Sequence, residues 1–245
     1  KIVLLLFSIF SFAQQTDKVD FIKCNATVFP DFETRTVNGI VSYDFKVLAS
    51  IDTIRIDAKG MQFSEVTINE KKVNFKNNNK ELLLFEGFKK GKNQLQFNYQ
   101  ATPKQTMYFT GIGEGQQIWT QGQGRYTSHW LPSFDDVNEK VVFNMTVLLT
   151  EQLYSTSKFV AISNGVLTDK ERTVSWSKGE QYWMYKFRMD KPMSSYLVML
   201  AIGKFEHQTE TSQSGIPLEN YYKPIDADKY QYTYKDSKMI FDFLE

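Results

Sequence analysis

The chain has 245 residues, with 29 Lys+Arg against 28 Asp+Glu and a formal net charge of +1. That near-balance leaves no electrostatic footprint for nucleic acid or an anionic membrane surface. With 42% hydrophobic and 23% charged residues, disorder is excluded and a sizeable core is affordable, while 15% aromatics favour pleated structure over helix.

The opening segment Lys1–Ala13 joins a basic start to a short apolar run and ends on small residues at Ser11 and Ala13. This is the pattern of a secretory signal peptide, too short for a bilayer-spanning helix, so the mature protein is expected to be exported to the periplasm or beyond. Lys1 is not expected to be the native start. Cys24 is the single cysteine, which excludes an intrachain disulfide, and no Leu-rich tripeptide precedes it to suggest a lipid anchor. Asn25-Ala26-Thr27 matches a glycosylation acceptor, a pattern too short to carry weight.

From here the chain alternates apolar and polar residues. Val41, Tyr43, Phe45 and Val47 form one period-2 run; Leu95, Phe97 and Tyr99 a second; Phe143, Met145 and Val147 a third; Trp183, Tyr185 and Phe187 a fourth. Asn38-Gly39, Lys90-Gly91-Lys92-Asn93, Asn164-Gly165 and Ser214-Gly215 read as turns between strands. Ser195–Ile202 is apolar without alternation and reads as one central strand buried on both faces. Asp226 and Asp228 can cap a helix in which Met239, Ile240, Phe243 and Leu244 recur at helical spacing. No stop signal follows, so Glu245 reads as a truncation. The expected fold is mainly β: an antiparallel multi-stranded saddle or sandwich over residues 14–224, with residues 225–245 opening a second domain.

Chemistry-bearing residues are sparse. His129 and His207 stand far apart and outside any H-E-x-x-H arrangement, so no zinc site is expected within this stretch. Ser128, His129 and Asp135 could be drawn as a triad, but no nucleophile elbow surrounds the serine. Asp135 and Asp136 suggest acid/base work less than turn capping, or pairing with Lys140. Gly111–Gly115 lacks the lysine and the strand-loop-helix setting of a phosphate cradle and reads as a mobile loop. Trp119 and Trp130 could stack on a ligand, although packing is the simpler role for each. The most informative stretch is Trp119-Thr120-Gln121-Gly122-Gln123: two glutamines at i and i+2 on an extended backbone present their amides to one side.

The interval from Gln123 to Leu131-Pro132-Ser133-Phe134-Asp135-Asp136 resembles the zinc aminopeptidase family of aminopeptidase N and leukotriene hydrolase. There, a Gln-x-Glu/Gln element precedes Phe/Leu-Pro-Cys-Phe-Asp-Glu-Pro. Ala161–Gly165 resembles that family's Ser-Asn-Gly turn, Lys191–Leu197 its Pro-Met-Ser-Thr-Tyr-Leu strand, Ile202–Phe205 its Val-Gly-Asp-Phe, and Met239–Glu245 the first helix of its thermolysin-like catalytic domain. Ser128, Ser133 and Val137 depart from the family's usual Arg, Cys and Pro.

The resemblance implies that Gln121 and Gln123 line a pocket for a peptide's free amino terminus, and that Asp135 braces the loop. It also implies that zinc binds in a catalytic domain outside this stretch, leaving the fragment inactive and dependent on that missing domain as its partner. The competing expectation is a self-contained, secreted β-sandwich binding module, for glycans for example, with Trp119 and Trp130 as a stacking platform. The family reading calls instead for an apolar face left bare.

Overall fold

A computed structural model describes residues 15–174 and 181–245; the expected signal peptide, Lys1–Ala13, lies outside the described residues. All four alternating runs are strands. They fall within Thr36–Val47, Gly91–Ala101, Lys140–Thr150 and Gln181–Arg188, and the apolar members of the first three are buried. These strands belong to one nine-stranded sheet. Its order is Val166–Val174, Gln181–Arg188, Lys140–Thr150, Val19–Asp31, Thr36–Val47, Gly91–Ala101, Met61–Ile68 and Lys71–Lys72, with Met193–Ser194 also paired to Lys140–Thr150.

The sheet is antiparallel except where Val19–Asp31 runs parallel to Lys140–Thr150, in register from Lys23 beside Val142 to Val28 beside Val147. A parallel neighbour needs a long crossover, and here the crossover is most of the domain. Within Val19–Asp31 a register shift between Phe21 and Lys23 changes which side chains face inward: Val19 and Phe21 before it, Cys24, Ala26 and Val28 after it. Burial pushes the Cys24 thiol up to about 12, so it remains protonated and inert.

Two smaller sheets cover the inner face. Four strands run in the order Val160–Ser163, Leu200–Gly203, Gln117–Thr120, Met107–Thr110, and three in the order Ile54–Asp57, Glu81–Leu84, Phe75–Asn77. Their inward residues, among them Ile118, Leu200, Ile202, Ile54, Ile56, Leu82 and Leu84, join Phe21, Tyr43, Phe45 and Phe97 of the large sheet in one hydrophobic cluster. Phe134, from the loop after the glutamines, enters the same cluster 4.3 Å from the Phe21 ring and 5.5 Å from Tyr43. Each such side chain contributes about 1.5–3 kcal/mol of burial.

Several expectations need correction. Asn38-Gly39 is not a turn but lies inside Thr36–Val47; a Cβ on Gly39 would fall 2.3 Å from the Tyr99 ring, so glycine is there for clearance. Ser195–Ile202 is not one strand. A 3₁₀ turn occupies Ser195–Leu197 and the strand is only Leu200–Gly203, because Asn164 holds the intervening backbone through the Met199 N–H (2.7 Å) and the Leu197 carbonyl (3.1 Å). The C-terminal helical segment divides into Ala227–Tyr234 and Ser237–Leu244, preceded by a hairpin of Glu206–Thr211 and Pro217–Tyr222. Asn164-Gly165 and Ser214-Gly215 hold as turns, with φ of 87° and 90° at their glycines, whereas Lys90–Asn93 does not: the strand already begins at Gly91, and Lys92 and Asn93 pair with Lys46 and Phe45.

Candidate functional site

The glutamines follow the strand Gln117–Thr120, which pairs with Met107–Thr110 on one side and Leu200–Gly203 on the other. Thr120 strengthens this placement by accepting the Leu200 N–H on its hydroxyl at 2.8 Å. Gln121 carries the ladder one residue further, donating its backbone N–H to the Thr106 carbonyl at 2.7 Å. Beyond it the extended backbone stops: Gln123 lies in a turn, closed by Tyr126 N–H to the Gly122 carbonyl at 3.3 Å, that leads into a 3₁₀ turn at Thr127–His129. The expected unbroken extended segment through both glutamines is therefore shortened to Gln121.

Both glutamines are exposed and the glycine between them is buried. A Cβ at Gly122 would meet the Thr127 Oγ1 at 2.5 Å and the Tyr196 carbonyl oxygen at 2.6 Å, so the backbone is pressed against the Ser195–Leu197 turn. Among the described residues, neither glutamine side chain has a hydrogen-bond partner. Each amide thus keeps its carbonyl acceptor and both N–H donors available.

The loop carrying them is held from below by a polar latch. Ser128 is fully buried and donates its hydroxyl to Asp135 Oδ2 at 3.0 Å, while its carbonyl accepts the Lys59 backbone N–H at 2.8 Å. The Lys59 ammonium closes tightly on the same Asp135 oxygen. Asp135 donates its backbone N–H to Asp57 Oδ2 at 2.7 Å, and Asp57 and Ser133 exchange backbone hydrogen bonds at 2.9 and 3.0 Å. On the opposite side Ser195 accepts twice: its carbonyl from the Thr127 hydroxyl (2.9 Å) and its Oγ from the Phe134 N–H (3.2 Å). Tyr43 reaches up from the core to donate its hydroxyl to the Pro132 carbonyl at 2.6 Å.

Electrostatics follow from burial. Asp57 is pushed up to about 6, chiefly by desolvation and despite the N–H bond it accepts. Glu139, buried and accepting the Phe21 N–H at 3.3 Å, is pushed up to about 7 by burial, with Asp20 and Asp136 adding repulsion. Burial, and then the nearby Lys59 charge, hold His129 below its ordinary value.

Residue by residue, the expectations fare differently. Asp135 ties the loop down, but to Lys59 and not to Lys140. Asp136 caps a turn by accepting the Asn138 N–H at 2.9 Å. Ser128, His129 and Asp135 form no relay: the serine donates straight to the carboxylate and the His129 ring engages Gln105 at 2.8 Å. Trp130 is fully buried, whereas Trp119 is 38% exposed and stacks on Tyr108 with ring centroids 4.4 Å apart. A two-tryptophan platform is thus excluded. Asp57, Lys59 and Ser195 escaped the sequence reading, because nothing local marks a residue whose partner is 61–78 positions away.

Among the described residues, no three His, Cys, Asp or Glu side chains are arranged to hold a metal ion. His207 stacks on Tyr221 in the C-terminal hairpin, remote in sequence from His129.

Residues 22–197, most of the chain and all of the latch, match the Peptidase M1 N-terminal domain. The chain belongs to this family. It is 30% identical over 115 residues to glutamyl aminopeptidase of Sus scrofa, covering 46% of the chain and 11% of that protein. Similarity to probable aminopeptidase 1 of Sulfurisphaera tokodaii is 24% over 188 residues, or 76% of the chain and 22% of the relative. Leucyl aminopeptidase of Saccharolobus solfataricus is 25% identical over 182 residues, covering 73% and 22%. The matched region thus spans between a tenth and a quarter of these relatives' lengths. The chain is an aminopeptidase-family domain of mainly β structure.

Proposed function

We propose that this domain forms one wall of the substrate pocket of an exported zinc metallo-aminopeptidase, with Gln121 and Gln123 receiving the free amino terminus of a peptide. The supporting observation is the pair of exposed, unbonded glutamine side chains on either side of buried Gly122, on a loop pinned by the Asp57, Lys59, Ser128 and Asp135 latch. A peptide ammonium offers three donors and no acceptor, so it needs oxygens facing it, and leaving one N–H unpaired on burial costs about 1–3 kcal/mol. Two amide carbonyls supply such oxygens without a formal charge. Recognition of the ammonium therefore rests on hydrogen-bond geometry more than on Coulomb attraction.

On this reading the metal and the attacking water belong to a catalytic region elsewhere in the polypeptide, and residues 225–245 lead towards it. Met239, Ile240, Phe243 and Leu244 are 55–86% exposed on the Ser237–Leu244 helix, an apolar face suited to covering by such a neighbour. Export is supported by the Lys1–Ala13 pattern. The test is to incubate the purified chain with zinc and an aminoacyl reporter substrate. The expected result is no turnover above zinc alone; sustained turnover that scales with chain concentration overturns the division of labour.

A further inference from the structure

A second candidate binding surface lies on the face of the large sheet turned away from the core. A groove of about 430 Å³ crosses four adjacent strands there, its outward lining including Phe29, Asn38, Ile40, Gln62, Asn98 and Gln100. No lining residue is ionisable at neutral pH, on a protein in which 23% of residues are charged. The register arranges the outward side chains in two rungs. Phe29, Asn38, Gln100 and Gln62 are aligned across the first; Ile40, Asn98 and Ser64 across the second. At the usual inter-strand spacing, the first rung spans roughly 14 Å.

Each rung joins an apolar side chain to neutral groups that both donate and accept. Ile40 is 42% exposed and Phe29 half-buried. Gln100 donates to Asn38 Oδ1 at 2.9 Å, which fixes one amide pair and leaves the Asn38 N–H₂ and the Gln100 carbonyl facing outward chemistry. Among the described residues the Gln62, Ser64 and Asn98 side chains have no hydrogen-bond partner. A charged ligand would find no counter-ion here, and a purely apolar one would strand the amides unpaired. A pyranose ring satisfies both demands, with a C–H face for Phe29 and Ile40 and hydroxyls for the amides.

We propose that this groove binds neutral glycan chains, independently of the pocket wall formed by Gln121 and Gln123. The test uses the purified chain and a panel of neutral hexasaccharides (cello-, malto-, manno- and chito-hexaose), with a heparin-derived hexasaccharide as the anionic control, followed by saturation-transfer NMR and calorimetry. At least one neutral member is expected to bind saturably on the millimolar scale or tighter. Gln62→Ala and Asn98→Ala should each weaken it at least fivefold without lowering the melting temperature, since both side chains point away from the core, and Trp119→Ala should leave it unchanged. No saturable binding by any neutral member overturns the proposal, as does preference for the anionic control, or loss of binding in Trp119→Ala with the groove variants unaffected.

Discussion

The loop Gln121–Glu139 and the helices Ala227–Leu244 are held to very different extents. In the loop, nearly every anchor comes from far along the chain: Lys59, Asp57 and Tyr43 from upstream strands and turns, Ser195 from downstream. The helices combine the i,i+3 and i,i+4 ion pairs of Lys229 with Asp226 and Lys238 with Asp242 with a few contacts to the preceding hairpin, the Gln213 N–H to Asp242 at 2.7 Å and Tyr230 against Tyr222 at 4.5 Å, and bury only Tyr230. Exposed pairs of that kind contribute little, about 0–1 kcal/mol. The loop that carries Gln121 and Gln123 is thus built into the core, whereas the Ser237–Leu244 helix leaves Met239, Ile240, Phe243 and Leu244 exposed.

The difference can be broken from either end. Trp130→Ala should cost about 3–5 kcal/mol in urea unfolding, because a fully buried indole leaves a cavity beneath the loop. Asp135→Ala should cost about 2–3 kcal/mol, since it leaves the Lys59 ammonium and the buried Ser128 hydroxyl without their shared acceptor. At the other extreme, Phe243→Ser should change unfolding of this chain by no more than about 0.5 kcal/mol, its side chain being 86% exposed. A Phe243→Ser cost as large as that of Asp135→Ala would erase the distinction.

Between these extremes lies a pH effect with a definite sign. Folding raises Glu139 from its ordinary 4.5 to about 7 and Asp57 from 3.8 to about 6, so over that interval the folded state binds protons the unfolded state has released. Their contribution is fully present below about pH 4 and is lost as pH climbs through 6 to 7. Glu139→Gln keeps an acceptor for the Phe21 N–H and removes the charge. Relative to the unsubstituted chain it should be more stable by about 1–2 kcal/mol at pH 8, with the advantage vanishing near pH 4. A constant difference across that range would place the Glu139 carboxylate in solvent.

Much of the fold was legible because alternation reports a half-buried strand directly, as at Val41–Val47 and Leu95–Tyr99. Gly39 was misleading: a glycine cleared for the Tyr99 ring has the same letter as one bending a turn. Ser195–Ile202 was misleading for a related reason, since an apolar run specifies burial but not backbone, and the break is imposed by Asn164. At the candidate site, Gln121 and Gln123 are both exposed, but the extended backbone from which their common direction was expected ends at Gln121, because a spacing of two fixes direction only on a strand. Their latch was invisible because Lys59 and Asp135 are 76 residues apart and carry no local signature of each other.

The proposed role of the two glutamines is tested most directly by steady-state kinetics on an aminopeptidase-active form of the protein, with Gln121→Ala, Gln123→Ala and the double variant. For substrates with a free amino terminus, kcat/KM in the double variant should fall about tenfold or more, mainly through KM, while the melting temperature is retained. A double variant within twofold of the unsubstituted protein on every such substrate would contradict the assignment of these amides to the peptide's amino end.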